Sequence, residues 1–224
     1  MKLDLHVHTK YSFDCLCSPS KILQKAKDRG LDGIAITDHN NAEGWQNAIQ
    51  AAKKLKMQLI LGEEIKCKEG VELIGLFLKK EIKSDYYNQN SFAHILKEIK
   101  KQNGIAILAH PFEKKHSFEE IKNYAKKVDA IEILNSRRTR NKNKKAFLLY
   151  KKLKNKAASA GSDAHSLSEV GKAYTECEAK NLKEFKEGIL KRRTIAKGKL
   201  SSRTVHLTST FSSWIAFVLK KIFG

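Results

Sequence analysis

Histidine and carboxylate side chains recur along the chain in short groups that could bind metal ions. The groups are His6 with His8, Asp38 with His39, Glu63 with Glu64, His110, and Asp163 with His165. Imidazole and carboxylate ligands together suit Zn²⁺, Mn²⁺ or Fe²⁺ better than Mg²⁺, which prefers oxygen ligands. The residue types therefore predict a site for divalent transition-metal ions, provided that the fold brings the groups together.

Strands predicted from the local pattern place nearly every group at a carboxyl end. Residues 2–9 alternate apolar and polar side chains, which predicts a strand with Leu3, Leu5 and Val7 on one face and Asp4, His6 and His8 on the other. Apolar runs typical of buried parallel strands precede the other groups, at residues 33–37, 58–61, 105–109 and 157–160. The carboxyl ends of such strands meet at one edge, so we expect distant groups to become neighbours.

Helical patterns separate these strands. Helices are predicted at residues 19–30, 41–56, 91–103, 141–155 and 181–191 and from residue 117 onward, with further strands at 71–78 and 129–134. Ser18 followed by Pro19 is a typical helix start. The alternation predicts a parallel α/β sheet, which periodicity alone leaves either open or closed into a barrel. The strand-end positions of the histidines and acids favour the barrel.

Five short motifs resemble those of the PHP (polymerase and histidinol phosphatase) family. They are His6-Val7-His8, Ile36-Thr37-Asp38-His39, Gly62-Glu63-Glu64-Ile65, His110-Pro111 and Gly161-Ser162-Asp163-Ala164-His165. One such motif is weak evidence, whereas five in this order are specific. The resemblance extends from Met1 to about Gly198. It implies a distorted seven-stranded (β/α)7 barrel, similar to a TIM barrel, that holds two to three divalent metal ions (Mn, Zn or Fe).

The resemblance also implies a role for each matching residue. His6 and His8 would bind the first metal, Glu64 would bridge two metals, His110 would bind the second, Asp14 and His39 the third, and Asp163 and His165 would complete the cluster. Asp38 would orient its neighbours. Where the family often has His-x-x-Gly, this chain has Glu72-Leu73-Ile74-Gly75. Glu72 could replace that histidine as a ligand or leave the second metal weakly bound.

Clustered metal ions of this kind imply hydrolysis of phosphate esters. They make hydroxide available near neutral pH and neutralise charge on phosphoryl oxygens. The hypothesis is that a metal-bound hydroxide, held at Glu64, His110 and Asp163, attacks phosphorus in line. Arg137 or Arg138, which follow the strand at 129–134, could grip a second phosphate through paired hydrogen bonds. The alternative for both arginines is a solvated basic helix start.

The resemblance leaves several substrates open, and charge helps to rank them. The chain carries 44 Lys and Arg against 24 Asp and Glu, a net charge of +20, which favours polyanionic partners. A stand-alone chain of this length is most similar to phosphoesterases of nucleotide 3′,5′-bisphosphates or of oligonucleotide 5′ ends. The alternatives are a small-molecule phosphomonoesterase of the histidinol-phosphatase type and a non-catalytic, metal-stabilised module that binds nucleic acid.

The remaining features concern location and the carboxyl terminus. A charged amino terminus and no long apolar run predict neither a signal peptide nor a membrane span, so we expect a cytoplasmic protein. The four cysteines are expected to be free thiols. Residues 1–198 are predicted to form one domain. Residues 199–224 are predicted to be a basic and apolar tail, helical at its end, that packs on the barrel, self-associates or touches a membrane surface weakly.

Overall fold

The computed structural model describes residues 1–84 and 90–202, which form nine strands and six helices. The strands are β1 (Lys2–Val7), β2 (Gly33–Ile36), β3 (Gln58–Lys66), β4 (Glu72–Leu76), β5 (Ile105–Leu108), β6 (Ala130–Asn135), β7 (Ala157–Gly161), β8 (Ala173–Glu176) and β9 (Ile195–Gly198). The helices are α1 (Pro19–Asp28), α2 (Trp45–Leu55), α3 (Phe92–Lys101), α4 (Phe118–Ala125), α5 (Arg140–Leu153) and α6 (Leu182–Leu190). Each helix predicted within residues 1–198 is present, with ends shifted by a few residues.

One sheet contains all of these strands in the order β7-β6-β5-β4-β3-β2-β1-β8-β9. Strand β4 is antiparallel to β3 and β5, and β8 is antiparallel to β1 and β9. The prediction of seven strands in a parallel barrel is therefore wrong in number and partly in direction. The α/β class and the barrel-like curvature are confirmed.

The sheet is nearly closed, because β7 returns to β1 at the carboxyl end of both strands. The Asp163 N–H donates to the carbonyl of His6 at 2.8 Å, and the His8 N–H donates to the carbonyl of Ala164 at 3.1 Å. Val7 and Ala164 form an isolated parallel bridge at the same place. These contacts form a seam, defined here as residues 6–8 against residues 161–164. The predicted chemical groups of β1 and β7 meet at this seam.

A bulge in β1 changes the direction of its side chains. Asp4 is level with Ile34 and Val7 with Ile36, so three steps along β1 match two along β2. Leu3 and Leu5 pack in one apolar cluster and Val7 in another. The predicted strict alternation, with all three on one face, is therefore wrong. Bulges commonly re-aim side chains beside functional sites.

Strand β3 is longer than predicted and continues into a hairpin with β4. The turn closes through hydrogen bonds from Gly70 N–H to the Cys67 carbonyl and from Cys67 N–H to the Val71 carbonyl. Gly70 has a φ of +83°, a conformation that favours glycine. Glu63 and Glu64 thus lie within β3, opposite Gly75 and Ile74, and do not follow the strand as predicted.

Local capping explains where the helices begin. Ser18 accepts from the Lys21 N–H, and Ser117 and Glu120 form both bonds of a capping box. The four cysteines are free thiols, as predicted. No helix within the described ranges is long and apolar enough to cross a bilayer. Residues 203–224, to which most of the tail prediction applies, lie outside the described residues.

Candidate metal centre

Four buried ligand atoms converge at the seam. The His6 Nε2 lies 3.1 Å from Glu64 Oε2 and 3.7 Å from Asp163 Oδ1. The His8 Nε2 lies 3.3 Å from each of the same two oxygens. The four residues are at most 1% exposed. The carboxyl ends of β1 and β7 supply His6, His8 and Asp163, as the strand-end argument requires, whereas Glu64 comes from within β3.

The spacing of these atoms fits a metal ion. Bonds of about 2.1 Å around a tetrahedral ion separate neighbouring ligand atoms by roughly 3.4 Å. The four distances above are close to that value. The His6 and His8 Nε2 atoms and Glu64 Oε2 are also buried without a hydrogen-bond partner among the described residues. Buried polar atoms without partners are costly, and a shared cation would satisfy all three.

A second set of ligand atoms lies beside the first, on the outer side. Asp14 Oδ2 lies 2.8 Å from His165 Nε2 and 3.4 Å from His39 Nε2. The His39 Nδ1 in turn lies 3.2 Å from Glu64 Oε2. Asp14, His39 and His165 form a group with His8 in which the candidate ligand atoms all lie within 4.8 Å of one another. The arrangement links the two sets through Glu64.

His110 completes the opposite side of the cluster. Its Nε2 lies 2.8 Å from Glu64 Oε1, whereas its Nδ1 lies 3.6 Å from Glu72 Oε2. Glu72 therefore approaches the ring nitrogen that points away from Glu64. It could act as a ligand in the group of Glu64, Glu72 and His110, or hold the His110 ring from behind.

Outer partners hold several of the imidazole rings. The His6 Nδ1 lies 2.9 Å from Glu132 Oε1, and the His8 Nδ1 lies 3.2 Å from Ser12 Oγ. Such bonds fix the tautomer of the neutral ring, so that Nε2 is the nitrogen left to bind a cation. Sequence reasoning did not select Glu132. The feature that could have identified Glu132 is its charge, because it lies within the otherwise apolar strand predicted at 129–134.

Asp38 does not join the cluster. Its carboxylate accepts from the Thr9 N–H at 2.6 Å and from the Thr9 hydroxyl at 2.7 Å. These bonds tie the end of β2 to the loop that follows β1. Asp38 therefore contacts the loop between His8 and Asp14, in keeping with the orienting role that the resemblance implies.

In the cluster, burial and nearby opposite charges shift each pKa in opposite directions, and the charges have the larger effect. Burial acts to lower the pKa of His6, but the carboxylates of Glu64, Asp163 and Glu132 outweigh it and hold that pKa well above its usual range. Burial acts to raise the pKa of Glu64 and of Asp163, and the neighbouring histidines outweigh it, so both pKa values lie well below normal. The carboxylates are therefore ionised, and a cation must displace protons from the imidazoles to bind.

The two candidate arginines have different surroundings. Arg138 donates from Nη2 to Asp163 Oδ2 at 2.9 Å, and its Nη1 lies 3.3 Å from Glu113 Oε1. The Arg137 guanidinium lies 3.4 Å from Glu169, which also accepts from the His165 N–H at 3.1 Å. Arg138 therefore borders the cluster, and Arg137 contacts the loop that carries His165.

Comparison with known proteins agrees with this geometry. A sequence profile of the PHP domain matches residues 4–197. The chain belongs to the PHP family. An uncharacterised protein of Methanocaldococcus jannaschii is 33% identical over 192 residues, which cover 82% of this chain and 73% of the relative. A 5′-3′ exoribonuclease of Haemophilus influenzae is 34% identical over 82 residues, 35% of this chain and 30% of the enzyme.

A solved structure shows the same PHP-type fold. It is a Bifidobacterium adolescentis protein whose assignment as a metal-dependent phosphoesterase is provisional, with a TM-score of 0.60 and 16% sequence identity. The match covers 73% of this chain and 87% of that protein. The family, the fold and the clustered histidines and carboxylates together support divalent metal binding by this PHP domain.

The fold brings together the side chains proposed as metal ligands, with the exception of Asp38. The residues that the fold brings together are His6, His8, Asp14, His39, Glu64, Glu72, His110, Asp163 and His165. Glu132 and Ser12 are additional residues that hold His6 and His8 in place. Their contacts depend on the three-dimensional path of the loops.

Proposed function

We propose that this PHP protein is a metal-dependent phosphoesterase that hydrolyses phosphate esters of nucleotides or short oligonucleotides. The reaction type is that of a nucleotide 3′,5′-bisphosphate phosphatase or a 5′-3′ exonuclease. The observation that carries the proposal is the cluster at the seam, where Nε2 atoms and carboxylate oxygens share the spacing of a coordination shell. An arginine stands next to that shell.

The residues proposed to hold two to three ions are the nine cluster residues named above. Bound Mn²⁺, Zn²⁺ or Fe²⁺ would supply hydroxide near neutral pH and neutralise charge on a phosphoryl group. The negative charge of the site supports this need for cations. Five carboxylates, those of Asp14, Glu64, Glu72, Glu132 and Asp163, would otherwise repel a phosphate anion.

Arg138 is our choice for contact with the substrate. Its side chain is 23% exposed, so it can be reached from outside while its Nη2 touches Asp163 in the cluster. A guanidinium can donate two parallel hydrogen bonds to phosphate oxygens. Arg137 is assigned instead to holding the Glu169 loop, and through it His165.

The exoribonuclease relative favours the nucleic-acid side of the substrate range. Its match covers a third of its own length, so the likeness concerns part of that enzyme only. The net charge of +20 points in the same direction, because a small phosphomonoester that carries an amine gains nothing from a strongly positive field.

The test is Mn²⁺-dependent hydrolysis of a 5′-phosphorylated RNA oligonucleotide and of adenosine 3′,5′-bisphosphate. We expect turnover on at least one substrate, with a loss of roughly 100-fold in His39→Ala because a ligand is removed. Arg138→Lys should lower kcat/KM by about tenfold or more, since charge-assisted hydrogen bonds contribute about 1.5–3 kcal/mol. Arg140→Lys, on the exposed start of α5, is the matched control.

Each contrary result has a definite meaning. Turnover of histidinol phosphate alone would replace the nucleotide assignment with that of a small-molecule phosphatase. Bound metals with no turnover on any phosphate ester, and RNA binding that persists in His39→Ala, would establish the non-catalytic binding module instead.

A further inference from the structure

A groove of about 660 Å³ lies next to the metal centre. It runs between the 112–116 loop after β5 and the first turns of α5. The lining residues are Phe112, Glu113, Lys114, Lys115, His116, Asn141, Lys142 and Lys145. Four of these eight are lysines, so the groove is strongly basic.

The groove continues into the metal centre. Glu113, Lys114 and His116 also line a smaller cleft whose other walls include Glu72 and His110 of the cluster. Glu113 itself joins the two regions, because its Oε2 pairs with Lys142 Nζ at 2.7 Å and its Oε1 lies 3.3 Å from Arg138 Nη1. A molecule lying along the groove would therefore end at the cluster.

Most of the positive charge in the groove is not neutralised. Lys142 pairs with Glu113, but no acidic partner of Lys114, Lys115 or Lys145 occurs among the described residues. All three of these side chains are exposed. Elsewhere on the surface, Lys122, Lys191 and Lys197 each pair with a glutamate. The groove thus has a surplus of three positive charges that face solvent.

We propose that this groove binds the sugar–phosphate backbone of a single nucleic acid strand whose terminal phosphate enters the metal centre. The inference rests on the proposed function and narrows its substrate class from nucleotides to oligonucleotides. A mononucleotide bisphosphate would use the cluster and Arg138 alone. Only a longer strand places further phosphates beside Lys114, Lys115 and Lys145.

The physical basis is electrostatic. Lysine binds phosphate as a point charge, and each neutralised phosphate of a single strand releases counterions, so that affinity falls with salt. The three unpaired lysines should account for a slope of about 2 in the logarithm of affinity against the logarithm of salt concentration.

Binding can be measured without turnover, by fluorescence anisotropy of a labelled 5′-phosphorylated RNA decamer. The groove variant is Lys114→Gln, Lys115→Gln and Lys145→Gln together. The control variant is Lys53→Gln, Lys54→Gln and Lys183→Gln, which removes the same charge from exposed positions on α2 and α6. We expect the groove variant to lose at least about tenfold in affinity and about 2 in salt slope, and the control to change less than twofold.

Turnover measurements then distinguish an effect on binding of the longer strand from an effect on the hydrolysis reaction itself. We expect the groove change to raise KM for the decamer while kcat/KM for adenosine 3′,5′-bisphosphate stays within twofold. Equal decamer affinity and KM in groove and control variants, with bisphosphate turnover intact, would overturn the groove and leave the phosphoesterase standing. Absence of all turnover would overturn the proposed function, and the anisotropy result would still decide the groove. Unchanged thermal midpoints in both variants confirm that folding is intact.

Discussion

At the scale of the residue, two neighbouring glutamates on β3 have pKa values shifted in opposite directions. Glu64 is surrounded by histidines and its pKa lies well below normal. Glu63 is fully buried on the other face of the strand. Its Oε1 accepts from the Ile82 N–H at 2.9 Å, while Oε2 has no hydrogen-bond partner among the described residues. Burial raises the pKa of Glu63 to about 8, so it is protonated at neutral pH.

Glu63 should therefore make stability fall as pH rises. The pKa of a glutamate in the unfolded chain is 4.5, whereas folded Glu63 holds its proton to about pH 8. Between these values the folded state binds the extra proton, so its contribution is full below pH 4.5 and lost above about pH 8. Denaturant unfolding of Glu63→Gln should remove a decline of about 3–5 kcal/mol across that window. Parallel curves for both proteins would contradict this assignment.

The ligand set could be predicted from the sequence because its residues follow recognisable strands. His8, His110 and Asp163 each lie just past the carboxyl end of a strand. Glu132 was missed because it sits inside an apolar strand and reaches His6 across the barrel. A contact between β6 and β1 depends on how the sheet curves, which local periodicity does not encode.

At the scale of the element, the seam depends on a glycine. A Cβ at Gly161 would lie 2.3 Å from the Cβ of His6 and 3.1 Å from Glu132 Oε1. The end of β7 can approach β1 this closely only without a side chain. Asp163, two residues later, has a φ of 55°, a left-handed conformation that aspartate tolerates better than most residues.

Gly161→Ala should therefore weaken metal binding by more than its loss of thermal stability would explain. We expect the substitution to push β7 from β1 and displace His6, lowering bound Mn²⁺ by at least about one equivalent in atomic emission measurements. Gly188→Ala on α6 is the matched control, because its Cβ would meet Cys177 Sγ at 2.2 Å, outside the cluster. The control should lower the thermal midpoint but keep its metal. Equal metal content in both variants would refute the role of the seam.

The elements missed from sequence are short or irregular. Strands β8 and β9 have four residues each, too few for an alternating pattern to be distinguished from a loop. The bulge in β1 could not be predicted because apolar and polar residues alternate regularly through it. Helices with strong amino-terminal caps, such as α1 and α4, were predictable because the capping signal is local.

At the scale of the whole molecule, the cluster buries ring nitrogens and a carboxylate oxygen that have no hydrogen-bond partner among the described residues. Removing bound metal with a chelator should therefore lower the thermal midpoint. Mn²⁺ at about 100 times its Kd contributes roughly 2.7 kcal/mol, which for a domain of this size is about 5–10 °C. Differential scanning calorimetry with and without Mn²⁺ measures the shift, and His39→Ala should reduce it. An identical midpoint in both conditions would show that the cluster does not bind Mn²⁺.

The seam also has a consequence for synthesis of the chain. The candidate ligands run from His6 to His165, so a ribosome must release most of this sequence before the last of them can join the first. Until then the growing chain presents only separated pairs such as His6 with His8, which hold ions weakly. Ion capture is therefore coupled to the completion of folding, and a truncated product that ends before β7 should leave the ribosome without its metals.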